Sequence, residues 1–575
     1  MNLPTANPTR IALIVTCAVI LVGCKTGGDK DPPVQSQGGR VTDVPDAGPV
    51  AGAPSDTDLA GSRISTREDR KALVEYLIRK TMEREAFSDI KNRRLGLDVE
   101  AAMRAYEAEA VNATTEEELF YALVKLSNAR RDTHLRVRPV PDGLRTSRHY
   151  RILANSNYPG QDAAGAGPPT APIKFAVDYR TKTPPFRLFV ADFANNIGDF
   201  EGGHRVRVGH VVNAVGGLPI ADYVARVRPF FRASTEANLW TRMARALNEK
   251  TPILPDRWYR TEFSVSLDGG GSSYQLRTPY SAANSITWAG YSERRYRDFE
   301  RIKQGPAFDL YRHTGKRPVL LLAWKRFGDT LVEDIDALVA FADANGYLDH
   351  DLIWDGTRSR GGGRGAYAIR HLSPKPFKTT FGNLRLSDIT PAFVARKRRQ
   401  FDQAQPSDGT RETVDDGTWL MDWLDNDVMK GHAAGQDYSN NVPFKSAHAP
   451  KWSDGVLRPA RVHFRGDMVC LFGPYGGSHL DQFAAIVVDN DLCRAIGMPT
   501  GGYSNTWEWS EVVRFPISKQ PVVEFMWSIG HTIRPNGEVL EGNPAAVHEW
   551  IPVTSTNYAN YYSLLLDRAL ELLGQ

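Results

Sequence analysis

Cysteine is scarce, with four in 575 residues. So few cannot staple a disulfide scaffold. Cys470 and Cys493, the two in the body of the chain, have no histidine spacing that suits a zinc site. Charge of one sign is lacking too. The net charge is only +4, so no nucleic-acid or acidic partner is indicated. The Arg396-Lys397-Arg398-Arg399 run is most simply a solvated loop or helix end. Long apolar runs are missing as well. Ile11 to Val22 is about 12 residues, short of the roughly 20 a membrane-spanning helix needs. Internal repeats are absent. What remains is ordinary globular composition, 41% hydrophobic and 24% charged. The length is room for about three to four domains.

The N-terminus is specific. Arg10 precedes the short apolar run, which ends in Leu21-Val22-Gly23-Cys24. A basic residue, an apolar core and small residues before a cut site form a secretory signal. The last four residues resemble a bacterial lipobox. That resemblance implies a signal over 1–24, a lipid on Cys24 and attachment to the cell envelope by the lipid alone. Lys25 after the cysteine leans towards the outer membrane of a Gram-negative host. Residues 25–60 are rich in Gly, Pro, Asp and Ser, which cannot bury a core and predict a flexible tether.

Three further regions follow. Residues 61–150 read as helical, opened by a capping box at Ser65-Thr66-Arg67-Glu68 and continued at about 99–111 and 115–128. In 170–285, Val206 to Val215 is strand-like, Gly216-Gly217 turns, and Pro219-Ile220 opens a helix. This stretch resembles a PDZ domain, with His210 and Gly216 departing from that pattern. From 300 to 575 apolar strands alternate with helices: Val319 to Trp324, then Asp329 to Ala344, then Leu352 to Trp354. Such alternation predicts an α/β domain. Residues 375–460 are polar, with several Gly and Pro, and read as an insertion.

One segment carries chemistry. Met468 to Phe472 is a buried-looking strand, Gly473 to Gly477 a tight turn, and Ser478 opens a helix. That places a hydroxyl at the positive end of a helix dipole, where N–H groups can hold an oxyanion. Serine is also a favoured N-cap, so this alone decides little. The spacing adds more. Asp481, Phe483 and Ala484 follow Ser478, Gly497 lies nineteen residues on and Thr500 twenty-two. Upstream, Ile353-Trp354-Asp355-Gly356-Thr357-Arg358-Ser359-Arg360-Gly361-Gly362-Gly363 follows a strand. No Lys-Ser or Lys-Thr follows those glycines, which argues against a P-loop.

These phrases resemble the tail-specific, or C-terminal processing, serine peptidases. Asp481 stands where that family has Glu, and Ser359 or Arg360 where it has Asn. The resemblance implies Ser478 as nucleophile, with oxyanion donors from His479 and from Gly361 or Gly362. One branch uses a Lys twenty-five residues after the Ser. Here that place holds Tyr503, which cannot act as a base at neutral pH. The tricorn-like branch uses a His from an early Asp-Gly-His phrase, which Asp132-Thr133-His134 resembles. Histidine's ordinary pKa suits a base. The late Glu of that branch falls on Glu541, with Glu538 as fallback, holding the imidazole. The implied fold is α/β: a crotonase-like core of ββα units, an N-terminal helical region and a PDZ-like domain. The implied activity is a Ser-His-Glu endopeptidase acting on protein or peptide, with no metal or cofactor. A catalytically inactive binding lipoprotein on the same fold is the alternative. Oligomeric state, and pairing of Cys470 with Cys493, stay open.

Overall fold

Thr66 caps the first helix, α1 (Arg67–Arg84), its hydroxyl accepting from the Asp69 N–H at 3.2 Å. The expected box thus sits one residue later. Ser65 lies outside it at φ 56° and donates instead to the Asp69 carboxylate. The computed structural model describes residues 64–144, 168–195, 197, 205–291, 296–315, 318–403, 418–443, 454–505 and 507–574. The signal with Cys24 and the 25–60 tether lie outside these.

After α1 come three short helices and α2 (Glu116–Asn128), whose N-cap is Thr115. The expected helix over 99–111 is two, Val99–Arg104 and Glu107–Val111. A two-residue strand, β1 (Val137–Arg138), follows.

The second region is an antiparallel sheet. Its strands are β2 (Ile173–Asp178), β3 (Arg187–Phe193), β4 (Val211–Val215), β5 (Glu262–Gly269) and β6 (Ser272–Pro279), paired in that order. Gly216 and Gly217 turn at φ 60° and 85°, as the sequence predicts, and α3 (Ile220–Val227) follows. Next comes α4 (Glu236–Ala246), capped by Thr235.

The third region centres on seven strands. Antiparallel β7 (Phe299–Gln304) and β8 (Phe308–His313) form one edge, β8 pairing with β9 (Val319–Trp324); β9, β10 (Asp351–Asp355), β11 (Met468–Phe472), β12 (Arg494–Gly497) and β15 (Glu549–Trp550) follow in that order and run parallel. All six residues of β9 and all five of β11 are buried. Parallel strands covered on both faces read as continuous apolar runs, and these do. Leu320, Leu322 and Trp324 face one core, with α5 (Leu331–Ala344), α6 (Gly365–Leu372) and α8 (His479–Asp489). Val319, Leu321 and Ala323 face the other, under α9 (Tyr561–Leu572).

The insertion is not the polar excursion expected of it. Helix α7 (Thr390–Gln403) and the shorter Thr418–Trp423 helix bury Phe393, Val394, Leu420 and Trp423 in the same core as α1, α2 and the second-region sheet. The basic run lies within α7. Lys397 is buried over the Phe393 and Trp507 rings, and Arg396 stacks on Trp509 at 4.2 Å. Arg396 and Lys397 are therefore not solvated, whereas Arg398 and Arg399 are exposed, as expected. A three-stranded sheet, ordered β1, β14 (Pro521–Ser528), β13 (Glu508–Arg514), joins this core to the start of the chain.

Candidate active site

Parallel β11 delivers the chain to a turn of small residues, and Ser478 leaves it at φ 62°, ψ −123°. A non-glycine residue held there carries strain of about 1–3 kcal/mol, which persists only where the surroundings enforce it. They do so here. The Ser478 N–H donates to the Tyr503 carbonyl at 2.7 Å, and the Gly501 N–H to the Gly476 carbonyl at 2.8 Å. Asp481, one turn into α8, accepts from the Gly502 N–H at 2.8 Å, the Tyr503 N–H at 2.9 Å and the Thr500 hydroxyl. Burial pushes its carboxyl up to about 7 despite these donors. Asp481 and the 500–503 loop thereby clamp the serine turn. Gly477 has no alternative, since a Cβ would lie 2.5 Å from the Asp481 carboxylate.

The Ser478 side chain does not cap its helix. Its Oγ lies 3.1 Å from His134 Nε2. Both residues are buried, at 4% and 3% exposure, so the pair is shielded from bulk water. Burial lowers the His134 pKa below its ordinary 6.5, opposed by the charges of Glu508 and Asp132 and reinforced by Arg136 and Arg232. The imidazole is then neutral at neutral pH, as a proton acceptor must be. The Tyr503 ring meets its edge at 5.2 Å. The position that would hold a lysine in the other branch therefore belongs to the site as packing.

Asp132 accepts the His134 backbone N–H at 2.8 Å, and its Oδ1 is 4.0 Å from Nδ1. No hydrogen bond reaches Nδ1 itself. Glu541 is drawn into the same buried cluster. One of its oxygens accepts the Ser504 N–H at 3.0 Å; the other has no hydrogen-bond partner. Burial and the charge of Asp132 push its carboxyl well above the usual range. Lys91 lies 3.8 Å from Asp132 and donates to the Arg130 carbonyl at 2.8 Å. Glu541 thus shares a buried cluster with Asp132 and makes no hydrogen bond to His134. Asp132, which sequence reasoning used only as part of a phrase, is the sole carboxylate with an oxygen within 4.0 Å of a ring nitrogen among the described residues. Glu538 is on the surface, beside Asn543 and Arg94.

Of the oxyanion candidates, Gly361 abuts the serine. A Cβ there would lie 2.6 Å from the Ser478 Cβ and 3.1 Å from the His479 nitrogen. Gly362, at φ 147°, faces the Phe327 carbonyl instead. The His479 ring is held by the Gly365 N–H, which donates to Nε2 at 2.6 Å. Burial drives that ring down to about 3, so it stays neutral and is no base for Ser478.

Sequence reasoning missed the start of α4. Asn238 accepts from the Thr133 hydroxyl at 3.3 Å and donates to the Pro474 carbonyl at 3.3 Å, and Thr235 donates to the Gly501 carbonyl at 2.9 Å. The second region thereby ties the base strand to the serine turn. A capped helix was legible there; its partners, more than 100 residues away, were not. Cys470 and Cys493 are both buried free thiols.

With this geometry in hand, solved structures supply a match over most of the chain. The fold resembles that of mature CPAF. The two align at a TM-score of 0.60 and 15% identity, over 88% of this chain and 97% of the other. Mature CPAF complexed with lactacystin aligns at 0.61, also at 15% identity, over 88% and 98%. No family model matches the chain, and no curated protein does. At this identity CPAF speaks for the fold; the chemistry is argued from the residues.

Proposed function

We propose that this protein is a serine endopeptidase of the tail-specific type, with Ser478 as nucleophile and His134 as general base. The 3.1 Å approach of Ser478 Oγ to His134 Nε2 carries this reading. In the reaction, Oγ attacks the scissile carbonyl while its proton passes to Nε2. The tetrahedral oxyanion is met by backbone N–H groups at His479 and the Gly361-Gly362 strand. Collapse expels the amine, which takes the proton from the imidazolium. Water then hydrolyses the acyl-enzyme by the same route. Glu508 and Asp132 bring negative charge to the imidazole, in the place of a triad carboxylate. The wider reading has a crotonase-like core, a PDZ-like second region and a lipid on Cys24 that tethers the enzyme in the cell envelope.

A fluorophosphonate probe tests the chemistry. Wild type becomes labelled, and Ser478→Ala and His134→Ala do not. Lactacystin, found in complex with mature CPAF, is a second probe. An unlabelled, folded wild type would favour the second reading, a catalytically inactive peptide binder. The unpartnered Nδ1 of His134 is the observation on that side.

A further inference from the structure

The base stands at the head of a short strand that leaves the site. From Leu135 to Arg138 burial alternates: Leu135 and Val137 are in the core, Arg136 and Arg138 partly exposed. β1 is an edge strand, and among the described residues only β14 pairs with it. Arg232, from the loop before α4, donates to the Leu135 carbonyl at 3.3 Å and brings a third guanidinium. Arg245 stacks on Tyr475, within the serine turn, at 4.3 Å. Two acids answer this group. Glu524 pairs with Arg138 at 3.6 Å, and Glu508 exerts its charge on His134. Among the described residues Arg136 makes no ion pair, and its buried Nε has no hydrogen-bond partner.

A partly buried guanidinium without an ion-pair partner of its own is costly, and its planar fork matches a carboxylate. We propose that Arg136, supported by Arg138 and Arg232, recognises a carboxylate side chain of the peptide substrate beside the scissile bond. The inference rests on the peptidase reading and adds a substrate class to it. Arg136 is two residues beyond His134, roughly 7 Å along an extended chain. The acidic residue it selects therefore lies about two positions from the cut, on one side only.

The test uses matched peptides that differ by Glu or Gln at one of three positions on either side of the cut. Wild type cleaves the Glu peptide about tenfold better in kcat/KM at one position, the scale of one charge-assisted contact. Arg136→Gln brings that ratio to about one. Arg136→Glu turns the preference towards a Lys peptide, a gain that misfolding cannot produce. Equal cleavage of Glu and Gln peptides at every position overturns the proposal, as does a ratio that survives in Arg136→Gln. If wild type cleaves no peptide, the Ser478→Ala protein is titrated with the same labelled pairs by fluorescence anisotropy. A Glu preference there upholds Arg136 while the peptidase reading fails; equal affinities sink the arginine proposal.

Discussion

The two halves of the site are held differently. Around Ser478 each backbone constraint is closed by a hydrogen bond, from Asp481, Tyr503 and Gly501, all within 25 residues of the nucleophile. Around His134 the groups are buried but loosely bonded. Nδ1 of His134, Oδ2 of Asp132 and Oε1 of Glu541 all lack hydrogen-bond partners. The serine is fixed by geometry, and the histidine by exclusion of water and by nearby charge. A geometric constraint fails sharply when one bond is removed, whereas a field weakens in steps.

The largest expected effect is therefore on the serine side. Asp481→Asn replaces an acceptor of three bonds with an amide that must turn its NH2 towards a donor. kcat falls about a hundredfold, the scale of a misplaced reacting group, while a fluorescence melt shows a folded protein. A loss below threefold would mean that the clamp is not what sets the serine. On the base side Asp132→Asn lowers kcat/KM by about tenfold, through loss of charge behind the imidazole. If Asp132→Asn proved as damaging as Asp481→Asn, the contrast between the halves would collapse.

A pH profile sharpens it. The base must be unprotonated, and burial lowers the His134 pKa, so the acid limb of kcat/KM has its midpoint below 6.5. Glu508 holds that value up, so Glu508→Gln moves the limb to still lower pH. A limb above 6.5 in wild type would contradict the burial argument. The smallest effect is on stability. The Glu541 carboxyl is raised in the folded state, so its contribution is fully present at low pH and is lost as pH rises from 4.5 through the folded value. Glu541→Gln keeps an acceptor for the Ser504 N–H. It removes that loss, leaving Tm at neutral pH unchanged or slightly higher. A marked fall in Tm would show that the ionised carboxylate stabilises the fold.

The same contrast explains what could be read from the sequence. Strand, turn, Ser478 and helix are local, so their periodicity and the spacing to Gly497 and Thr500 were visible. The burial of β9 and β11 follows from their composition. His134 was found through a phrase and the absent lysine. Most of its surroundings were not, because Lys91, Asn238 and Glu508 converge through tertiary packing alone; Glu541 was reached through its own phrase. The insertion was misjudged because its Phe393, Trp423 and Leu424 are diluted among polar residues and reach the core only by docking on Trp507 and α1. Arg396 and Lys397 looked solvated because a stack of cation on aromatic leaves no local pattern.

His134 and Ser478 are 344 residues apart in the chain, and the strand beside His134 pairs with Glu524 and Phe525. The order of synthesis follows from that separation. A ribosome has passed Glu524 and Phe525 before the partner of β1 emerges. Until then the early helices lack the late strands they bury against, and the serine has no base. A chain released before Glu524 would lack the strand that β1 pairs with. Such wide sequence separation also predicts slow folding. The wiring thus delays assembly of the Ser478–His134 pair until the strand that holds Phe525 has been made.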